Sequence, residues 1–415
     1  MSKKGFTTTN LHSDRLDKPE HGVLHKAIHT SVAYSYDDAR ELAEVFQGKR
    51  PGYNYGRQLN PTVTALQNKI TAMEEGIATA AFATGMAAIS SSMLALLRAG
   101  DHIVSSAFLF GNTNSFFGTL QTLGIEVSFV DATAVSNVEA AIKENTRLVF
   151  VETIANPVTQ IADLAGIGAV CKQRDLVYCV DNTMTSPHLF LPKAVGASLV
   201  VNSLTKYIGG HGNALGGTIT DTGLFDWSRF PNIYDSYKGQ DVSLWGITQI
   251  KKKGLRDMGG SLGPEAAHHL AVGSETLPLR MDRACANAIA VARLCDAHPA
   301  VNKVNYPGLE QHPQHTRARD LFCNFGSIMS IDLVPGVDCF DVLNAMETVV
   351  SSSNLGDTRT LAIPVAHTIF YEMGAERRAS MGISDSMIRF SIGIEDEADL
   401  LADFTHALDT ALAVT

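Results

Sequence analysis

Short apolar runs alternate with amphipathic segments from about residue 77 to residue 202. The segments between the runs have apolar residues at helical spacing and end in glycine. Strands that alternate with helices are typical of β-α-β units, in which a mainly parallel sheet carries helices on both faces. We therefore predict an α/β fold, with strands at residues 79–83, 102–106, 126–130, 148–152, 176–180 and 199–202.

The chain on either side of this region has a different pattern. Residues 1–60 are polar with little apolar periodicity, so we expect an extended N-terminal arm that lies on another surface. Residues 61–262 form the predicted large domain, which begins with a helix at 62–75. After a glycine-rich hinge, residues 263–415 mix helices with strands and predict a smaller α+β C-terminal domain.

Composition narrows the classes of partner. The 415 residues include 33 basic and 43 acidic side chains, a net charge of −10, so we expect neither a nucleic acid nor an anionic membrane as a partner. No apolar run reaches the roughly 18 residues of a membrane helix, and no signal sequence is recognised. Six scattered cysteines without a C-x-x-C pair predict reduced thiols in the cytoplasm, and no metal site is predicted.

The stretch at residues 200–212 carries the strongest chemical signal. An apolar, β-branched run ends in Ser203, Thr205 and Lys206, followed by a cluster of glycines. A lysine at the end of a buried strand is desolvated, so its pKa falls from about 10.4 and it can attack a carbonyl as a free amine. Pyridoxal phosphate supplies both that carbonyl and a phosphate for the neighbouring hydroxyls. We interpret Lys206 as the point of chemistry.

Other polar or small residues follow neighbouring predicted strands, at the edge where ligands bind in such sheets. Gly85 and Met86 open a helix, so their N–H groups can hold a phosphate, with a simple tight turn as the alternative. Asp181 and Asn156 follow two further strands. An acid in that position can hold a cationic ring nitrogen, although a helix cap or turn is the more common use.

These motifs resemble the Cys/Met-metabolism, or trans-sulfuration, branch of fold-type I pyridoxal-phosphate (PLP) enzymes. The matching sequences are Ser-x-Thr-Lys at 203–206, Asp-Asn-Thr at 181–183 and Thr-Gly-Met-Ala at 84–87. The resemblance extends from a Tyr-x-Arg-x-x-Asn-Pro-Thr motif at 55–62 to an Arg-x-Ser-x-Gly-x-Glu motif at 389–395. It implies a fold-type I architecture and an enzyme that acts at Cγ of amino acids.

The resemblance also implies roles for individual residues. Lys206 would form the internal Schiff base and shuttle protons, and Asp181 would keep the pyridine nitrogen protonated. Phe110 would stack on the cofactor ring. The phosphate would be bound by Gly85, Met86, Ser203 and Thr205.

Substrate and subunit contacts are implied as well. Arg389 would bind the substrate α-carboxylate as a bidentate fork, helped by Asn156, although a structural ion pair is the alternative for this arginine. Tyr55 and Arg57 would reach into the phosphate site of a neighbouring subunit. This predicts a homo-oligomer, with a dimer of dimers as the usual form.

Three departures from the family pattern concern the substrate. Phe110 stands where a tyrosine is usual, so the phenol that would protonate a departing thiolate is missing. Asn354 lies in an Asn-Leu-Gly-Asp form that is closer to sulfhydrylases, and we place it in the substrate site. The segment 363–372 replaces an expected Pro-Ala-Ser-x-Thr-His sequence, so the side-chain pocket differs.

These departures favour a leaving group that needs no phenol. We expect γ-elimination from an L-amino acid with an oxygen-linked Cγ group, such as an O-acylhomoserine or canavanine, whose guanidinium would meet Glu372 or Asp357. γ-Replacement, as in O-acylhomoserine sulfhydrylases or cystathionine γ-synthase, and methionine γ-elimination remain alternatives. A non-catalytic PLP-fold binding protein is an alternative of another class. A dinucleotide-dependent oxidoreductase has only the weak support of the glycines near 210.

Overall fold

The computed structural model describes residues 4–15 and 20–414, and two β-sheets organise this part of the chain. The larger sheet has seven strands in the order β1-β7-β6-β5-β4-β2-β3. Their bounds are β1 Ala78–Phe82, β2 His102–Ser106, β3 Glu126–Val130, β4 Thr146–Glu152, β5 Val177–Asp181, β6 Leu199–Asn202 and β7 Gly217–Asp221. The six predicted strands are confirmed to within two residues at each end.

Five neighbouring strands, β2 to β6, run parallel, whereas β7 pairs antiparallel with both β1 and β6. The predicted α/β fold with a mainly parallel sheet is therefore confirmed. β7 was not predicted, because its Gly-Thr-Ile-Thr-Asp sequence is short and alternates polar with apolar residues although all five are buried. The hydroxyls of Thr79 and Thr220 share a hydrogen bond of 2.9 Å across β1 and β7.

Fifteen α-helices occur in the described residues, and longer ones cover both faces of the large sheet. The helices are α1 Phe6–His12, α2 Ala39–Phe46, α3 Pro61–Met73, α4 Gly85–Leu96, α5 Gly111–Thr122, α6 Val135–Ala141, α7 Leu164–Gln173, α8 Ser186–Leu189, α9 Trp245–Gln249, α10 Pro264–Ser274, α11 Leu277–Ala297, α12 His315–Leu321, α13 Cys339–Ala345, α14 Ala375–Ser380 and α15 Glu397–Ala413. A π-helix, Ile250–Arg256, continues α9.

Each face of the large sheet has its own hydrophobic core. Val149 and Val151 of β4 belong to one core with residues of α3, α7 and α10. Leu148 and Phe150 of the same strand belong to the other core with residues of α4 and α5. Because both faces are buried, the parallel strands are continuous apolar runs in the sequence.

The C-terminal region contains the second sheet, in the order β10-β11-β12-β9-β8. Its strands are β8 Val301–Asn305, β9 Ile328–Leu333, β10 Val350–Ser351, β11 Leu361–Pro364 and β12 Ile388–Ser391. α11, α13 and α15 contribute to its core, where Phe390 of β12 packs on Phe404 of α15 with ring centroids 4.8 Å apart. The sheet and its helices agree with a smaller α+β unit. The boundary at residue 263 stays a prediction, because α11 contributes to both cores.

The predicted arm at residues 1–60 is not wholly extended, since it contains α1 and α2. Asp38 caps α2 by accepting a hydrogen bond from the Arg40 N–H at 2.8 Å. Asn60 ties the arm to α3, because its Oδ1 accepts from the Thr62 N–H and its Nδ2 donates to the His29 carbonyl at 2.6 Å. Residues 1–3 and 16–19 of the arm lie outside the described residues. The contact of the arm with a neighbouring subunit stays a prediction.

No helix in the described ranges is both long enough and apolar enough to span a bilayer.

Replacing Asn60 by alanine removes the cap of α3 and the bond to the arm. We expect Asn60→Ala to lower the free energy of unfolding by about 1 to 2 kcal/mol, because the Thr62 and Val63 N–H groups lose their acceptor. Urea unfolding measures the change, and protease cleavage within residues 20–59 reports the arm. Asn302→Ala, at an exposed position, is the control. Equal stability of the two variants would contradict the proposed link.

Candidate active site

The carboxyl ends of β4, β5 and β6 open on one cavity of about 300 Å³, between the large sheet and the C-terminal region. Parallel strands place their carboxyl ends at one edge of the sheet, so residues far apart in sequence meet there. The cavity is lined by Gly85, Met86, Ile89, Phe110, Thr113, Glu152, Asp181, Thr183, Met184, Ser203, Lys206, Ser353, Asn354, Leu355, Ile369 and Arg389. Eight of the residues that the sequence predicted for the site are in this set.

Lys206 follows β6 and extends into the cavity. Its Nζ donates to the Asn354 Oδ1 at 2.8 Å. Burial, with a smaller contribution from the nearby Arg389 cation, lowers the pKa of Lys206 to about 8. A substantial fraction of this side chain is therefore a neutral amine near physiological pH, which is the form that attacks an aldehyde.

Two carboxyl groups lie side by side on the floor of the cavity. Asp181 ends β5 and Glu152 ends β4, and they are partners in the parallel register. Burial raises the pKa of both groups, and the charge of Asp181 raises that of Glu152 further. The Thr183 N–H donates to Asp181 at 2.9 Å and opposes the shift. Two buried acids of this kind favour a cation above them, such as a protonated ring nitrogen.

A cradle for an anion forms where α4 begins beside the end of β6. Thr84 caps α4 and accepts from the Ala87 N–H at 3.0 Å, which leaves the N–H groups of Gly85 and Met86 without an acceptor inside the helix. A Cβ on Gly85 would lie 2.9 Å from the Ser203 Cβ, so only glycine permits this approach. Helix amides and the Ser203 hydroxyl suit a phosphate.

Thr205 is placed differently from its prediction. Its hydroxyl donates to the Gly216 carbonyl at 3.2 Å and accepts from the Gly216 N–H at 3.0 Å. It does not line the cavity, so its contact with phosphate stays a prediction.

Phe110 forms one wall of the cavity at the start of α5. Its N–H donates to the Glu152 Oε1 at 2.7 Å, which fixes the turn beside the acid pair. The segment 363–372 packs against this turn, since a Cβ on Gly111 would lie 3.6 Å from the Ile369 carbonyl oxygen. Phe110 and Ile369 therefore give this wall an apolar surface without a phenol.

Arg389 lies on β12 with only 1% of its surface exposed. Its Nη2 donates to the Asn354 carbonyl at 2.9 Å, while its Nε is buried and has no hydrogen-bond partner in the part of the chain that the structure describes. Burial lowers the pKa of Arg389 to about 10, so the side chain stays cationic at neutral pH. A buried cation with an unused donor beside a cavity suits a carboxylate ligand.

Asn156, Tyr55 and Arg57 do not line the cavity of this chain. The amide nitrogen and oxygen of Asn156 are buried without partners in the described structure. Tyr55 is 44% exposed, and the Arg57 guanidinium lies 5.5 Å from its ring and donates to the Arg256 carbonyl. The prediction that Tyr55 and Arg57 complete a neighbouring site is therefore compatible with their exposure and stays a prediction.

Asp357 and Glu372, the two acids predicted to bind a substrate guanidinium, also lie outside the cavity. Asp357 bonds to Arg359 at 3.2 Å, and Glu372 is exposed in the turn Tyr371–Met373. Neither lines the cavity. The acid that does line it and that sequence reasoning missed is Glu152. Its signal was available, because it ends the predicted strand next to the one followed by Asp181.

Comparison with known proteins decides the family. A family model described as Cys/Met metabolism PLP-dependent enzyme matches residues 7–409. The chain belongs to this family. Its cofactor is PLP, and the predicted resemblance is confirmed.

Individual relatives cover the whole chain. Homocysteine synthase of Schizosaccharomyces pombe is 36% identical over 429 residues, covering 99% of this chain and 100% of the relative. L-Methionine gamma-lyase of Fusobacterium nucleatum subsp. polymorphum is 37% identical over 412 residues, covering 98% of each. A solved putative O-acetylhomoserine (thiol)-lyase of Campylobacter jejuni, with N′-pyridoxyl-lysine-5′-monophosphate, has a TM-score of 0.93 at 29% identity and covers 98% of this chain and 100% of that one.

The chain is therefore a PLP-dependent enzyme that acts at Cγ of amino acids, by γ-elimination or γ-replacement. The residues in the cavity fit the cofactor. Lys206 supplies an amine, Asp181 a carboxylate for the ring nitrogen, and the Gly85 cradle a phosphate site. A non-catalytic binding protein and a dinucleotide-dependent oxidoreductase do not agree with this family.

The pKa of Lys206 generates a test on the apoenzyme. We expect the rate at which apoenzyme recovers bound cofactor from added PLP to rise with pH, with half its maximum near the Lys206 pKa of about 8, because only the neutral amine attacks the aldehyde. Absorbance of the imine that links the cofactor to the lysine measures the rate. Lys206→Arg should give none of this imine absorbance, and Lys303→Ala, at an exposed lysine, should behave as wild type. A midpoint near 10.4, the value of an exposed lysine, would contradict the desolvated amine.

Proposed function

We propose that the enzyme is a γ-lyase that removes an oxygen-linked group from Cγ of an L-amino acid. The observation that carries this proposal is the wall of the cavity formed by Phe110 and Ile369, which offers no phenol to a departing thiolate. O-Acylhomoserines and canavanine are the substrate classes that we favour. The acyl group leaves as a carboxylate, and a guanidinooxy group carries acidic protons of its own, so neither needs an acid from this wall.

Arg389 and Asn354 set the orientation of the substrate in this proposal. The free donor of the Arg389 guanidinium binds the α-carboxylate, and Asn156 supports that end of the substrate. Asn354 connects the two functional ends of the site, because its backbone carbonyl holds Arg389 and its side chain holds the Lys206 amine. The substrate Cα is thereby placed beside the amine that removes its proton.

Lys206 then moves the protons. When bound, PLP supplies an electron sink for the negative charge that develops at Cα and Cβ. The neutral Lys206 amine takes the Cα proton and assists removal of a Cβ proton, after which the Cγ–O bond breaks. Asp181 would hold the cofactor ring nitrogen protonated, and Phe110 would pack on the ring and exclude water from this face. The net reaction consumes one water and yields the alcohol or acid ROH, 2-oxobutyrate and ammonium.

Two other outcomes start from the same elimination. If water adds at Cγ, the products are homoserine and ROH. If a thiol adds, the reaction is γ-replacement, which is the second candidate because Asn354 lies in the Asn-Leu-Gly-Asp form that is closer to sulfhydrylases. The altered segment 363–372 beside Phe110 favours elimination over this alternative.

Tyr55 and Arg57 support a homo-oligomer in this proposal. Both are polar side chains of the arm, are exposed in one chain and lie outside its own cavity. In a dimer, Tyr55 and Arg57 of each subunit would reach the phosphate site of the other subunit. Two such dimers would pair to give the tetramer that we favour.

A product assay tests the reaction. Purified holoenzyme is supplied with canavanine, O-acetylhomoserine, O-succinylhomoserine, methionine or cystathionine, with and without sulfide, and products are identified by mass. We expect turnover of an oxygen-linked substrate without sulfide, and loss of this turnover in Lys206→Ala. Homocysteine formed only when sulfide is added would instead establish γ-replacement, and preferred turnover of methionine would contradict the oxygen-linked substrate.

The missing phenol gives a second test. We expect Phe110→Tyr to raise kcat for elimination from methionine by about 10-fold or more, because general acid catalysis contributes on the order of 100-fold, while an oxygen-linked substrate changes little. Phe116→Tyr, on the same helix but away from the cavity, is the matched control. Equal changes for the sulfur- and oxygen-linked substrates would show that the phenol is not what distinguishes them.

A further inference from the structure

Glu74 is a fully buried acid that the proposed mechanism does not use. It follows α3 and has no exposed surface. Its Oε1 accepts two hydrogen bonds, from the Asn182 Nδ2 at 3.1 Å and from the Asn202 Nδ2 at 2.6 Å. It does not line the cavity.

Both asparagines are next to residues of the active site. Asn182 follows Asp181 at the end of β5, and Asn202 is the last residue of β6, directly before Ser203. One oxygen of Glu74 thus connects the end of β5, which carries Asp181, to the end of β6, which leads to Lys206. Because alternate residues of a strand share a face, Asn202 lies on the same face of the sheet as Val200, which packs in the core with residues of α3, and Glu74 directly follows that helix.

Further hydrogen bonds hold this junction. The Asn182 Nδ2 also donates to the Phe190 carbonyl at 3.0 Å, and the Thr185 hydroxyl donates to the Asn182 Oδ1 at 2.5 Å. On the cavity side, the Ser203 N–H donates to the Thr183 hydroxyl at 2.8 Å. β5 and β6 are therefore connected just beyond their last paired residues, where the ladder between them ends.

Two oxygens at this junction have no hydrogen-bond partner among the described residues. They are the Glu74 Oε2 and the Asn202 Oδ1, and both are buried. If Glu74 were ionised, both of these oxygens would be buried acceptors without a donor, and the missing hydrogen bonds would destabilise the folded state. A carboxylic acid and a carboxamide instead pair through two bonds, so one proton on Oε2 gives both oxygens a partner. Burial also raises the pKa of Glu74, and although the hydrogen bonds from the two asparagines oppose this effect, the pKa remains raised at about 7.

We propose that Glu74 is a positioning residue that, as a neutral carboxylic acid paired with Asn202, sets the distance between Asp181 and the Ser203–Lys206 strand end. It acts from the face of the sheet opposite the cofactor. The inference rests on the roles proposed for Asp181 and Lys206, and it extends the site to a residue outside the cavity.

Two substitutions of Glu74 and one control test the proposal. Glu74→Gln keeps an acceptor for the asparagines and places an N–H where the acid proton would be. Glu74→Leu removes both at similar size. Asp221→Leu is the matched control, because Asp221 is a buried acid bonded to the Trp227 indole at 2.9 Å at the other end of the sheet, opposite the first residue of β6.

The readouts are the Kd of apoenzyme for PLP, the visible circular dichroism of bound cofactor and the unfolding temperature of apoenzyme. We expect Glu74→Gln to stay within about twofold of the wild-type Kd, and Glu74→Leu to raise the Kd by about 10-fold or more and alter the dichroism. Asp221→Leu should lower the unfolding temperature without these changes. A Glu74→Leu variant that binds PLP as tightly as Asp221→Leu would refute the positioning role. Equal losses in Glu74→Gln and Glu74→Leu would refute the neutral acid.

A spectroscopic measurement keeps the proposal testable if Glu74→Leu does not fold. The infrared difference between wild type and Glu74→Gln below neutral pH should contain the carbonyl band of one protonated carboxylic acid. A carboxylate band in its place would overturn the neutral acid. None of these readouts uses an amino-acid substrate, so they separate this inference from the γ-lyase proposal, which the product assay tests independently.

Discussion

Burial of ionisable groups at the carboxyl edge of the large sheet is the constraint on which the rest of the site depends. Lys206, Asp181 and Glu152 reach one cavity from the ends of three strands of this sheet, and Arg389 reaches it from β12 of the second sheet. Desolvation lowers the pKa of the lysine and raises those of the two acids, so each group is shifted toward its neutral form. Desolvation destabilises the charged form of each group. It therefore favours the neutral, nucleophilic amine, and it makes a cationic cofactor ring beside the two acids favourable.

The positions of these groups depend on a few connections between distant parts of the chain. Asn354, from the C-terminal region, holds the Lys206 amine with its side chain and Arg389 with its backbone. Glu152 holds the Phe110 turn from the floor of the cavity. Glu74 connects the strand ends from the other face of the sheet. The roles proposed for these residues in substrate binding, ring stacking and proton transfer would therefore depend on the same few connections, and a small displacement of one strand end would alter all three.

The chemistry common to the family and the selectivity of this enzyme lie in different parts of that frame. The contacts proposed for the cofactor come mainly from the sheet edge and α4, where the family motifs lie. The wall proposed to face the leaving group comes from the Phe110 turn and from segment 363–372, where the sequence departs from the family. Because Ile369 approaches the Phe110 turn through a backbone carbonyl, the shape of this wall depends on the path of the segment as well as on its side chains.

The sequence by itself determined the β-α-β architecture, the cofactor and eight residues of the cavity. Apolar periodicity reports local burial, and strand ends with Gly, Ser, Asp and Lys report chemistry that is local in sequence. Tertiary structure decided what lies between distant elements. It revealed β7, placed Glu152 in the cavity, left Asp357 and Glu372 outside it, and directed Thr205 to Gly216. Each of these depends on packing between residues far apart in the chain, where side-chain type alone does not specify the partner.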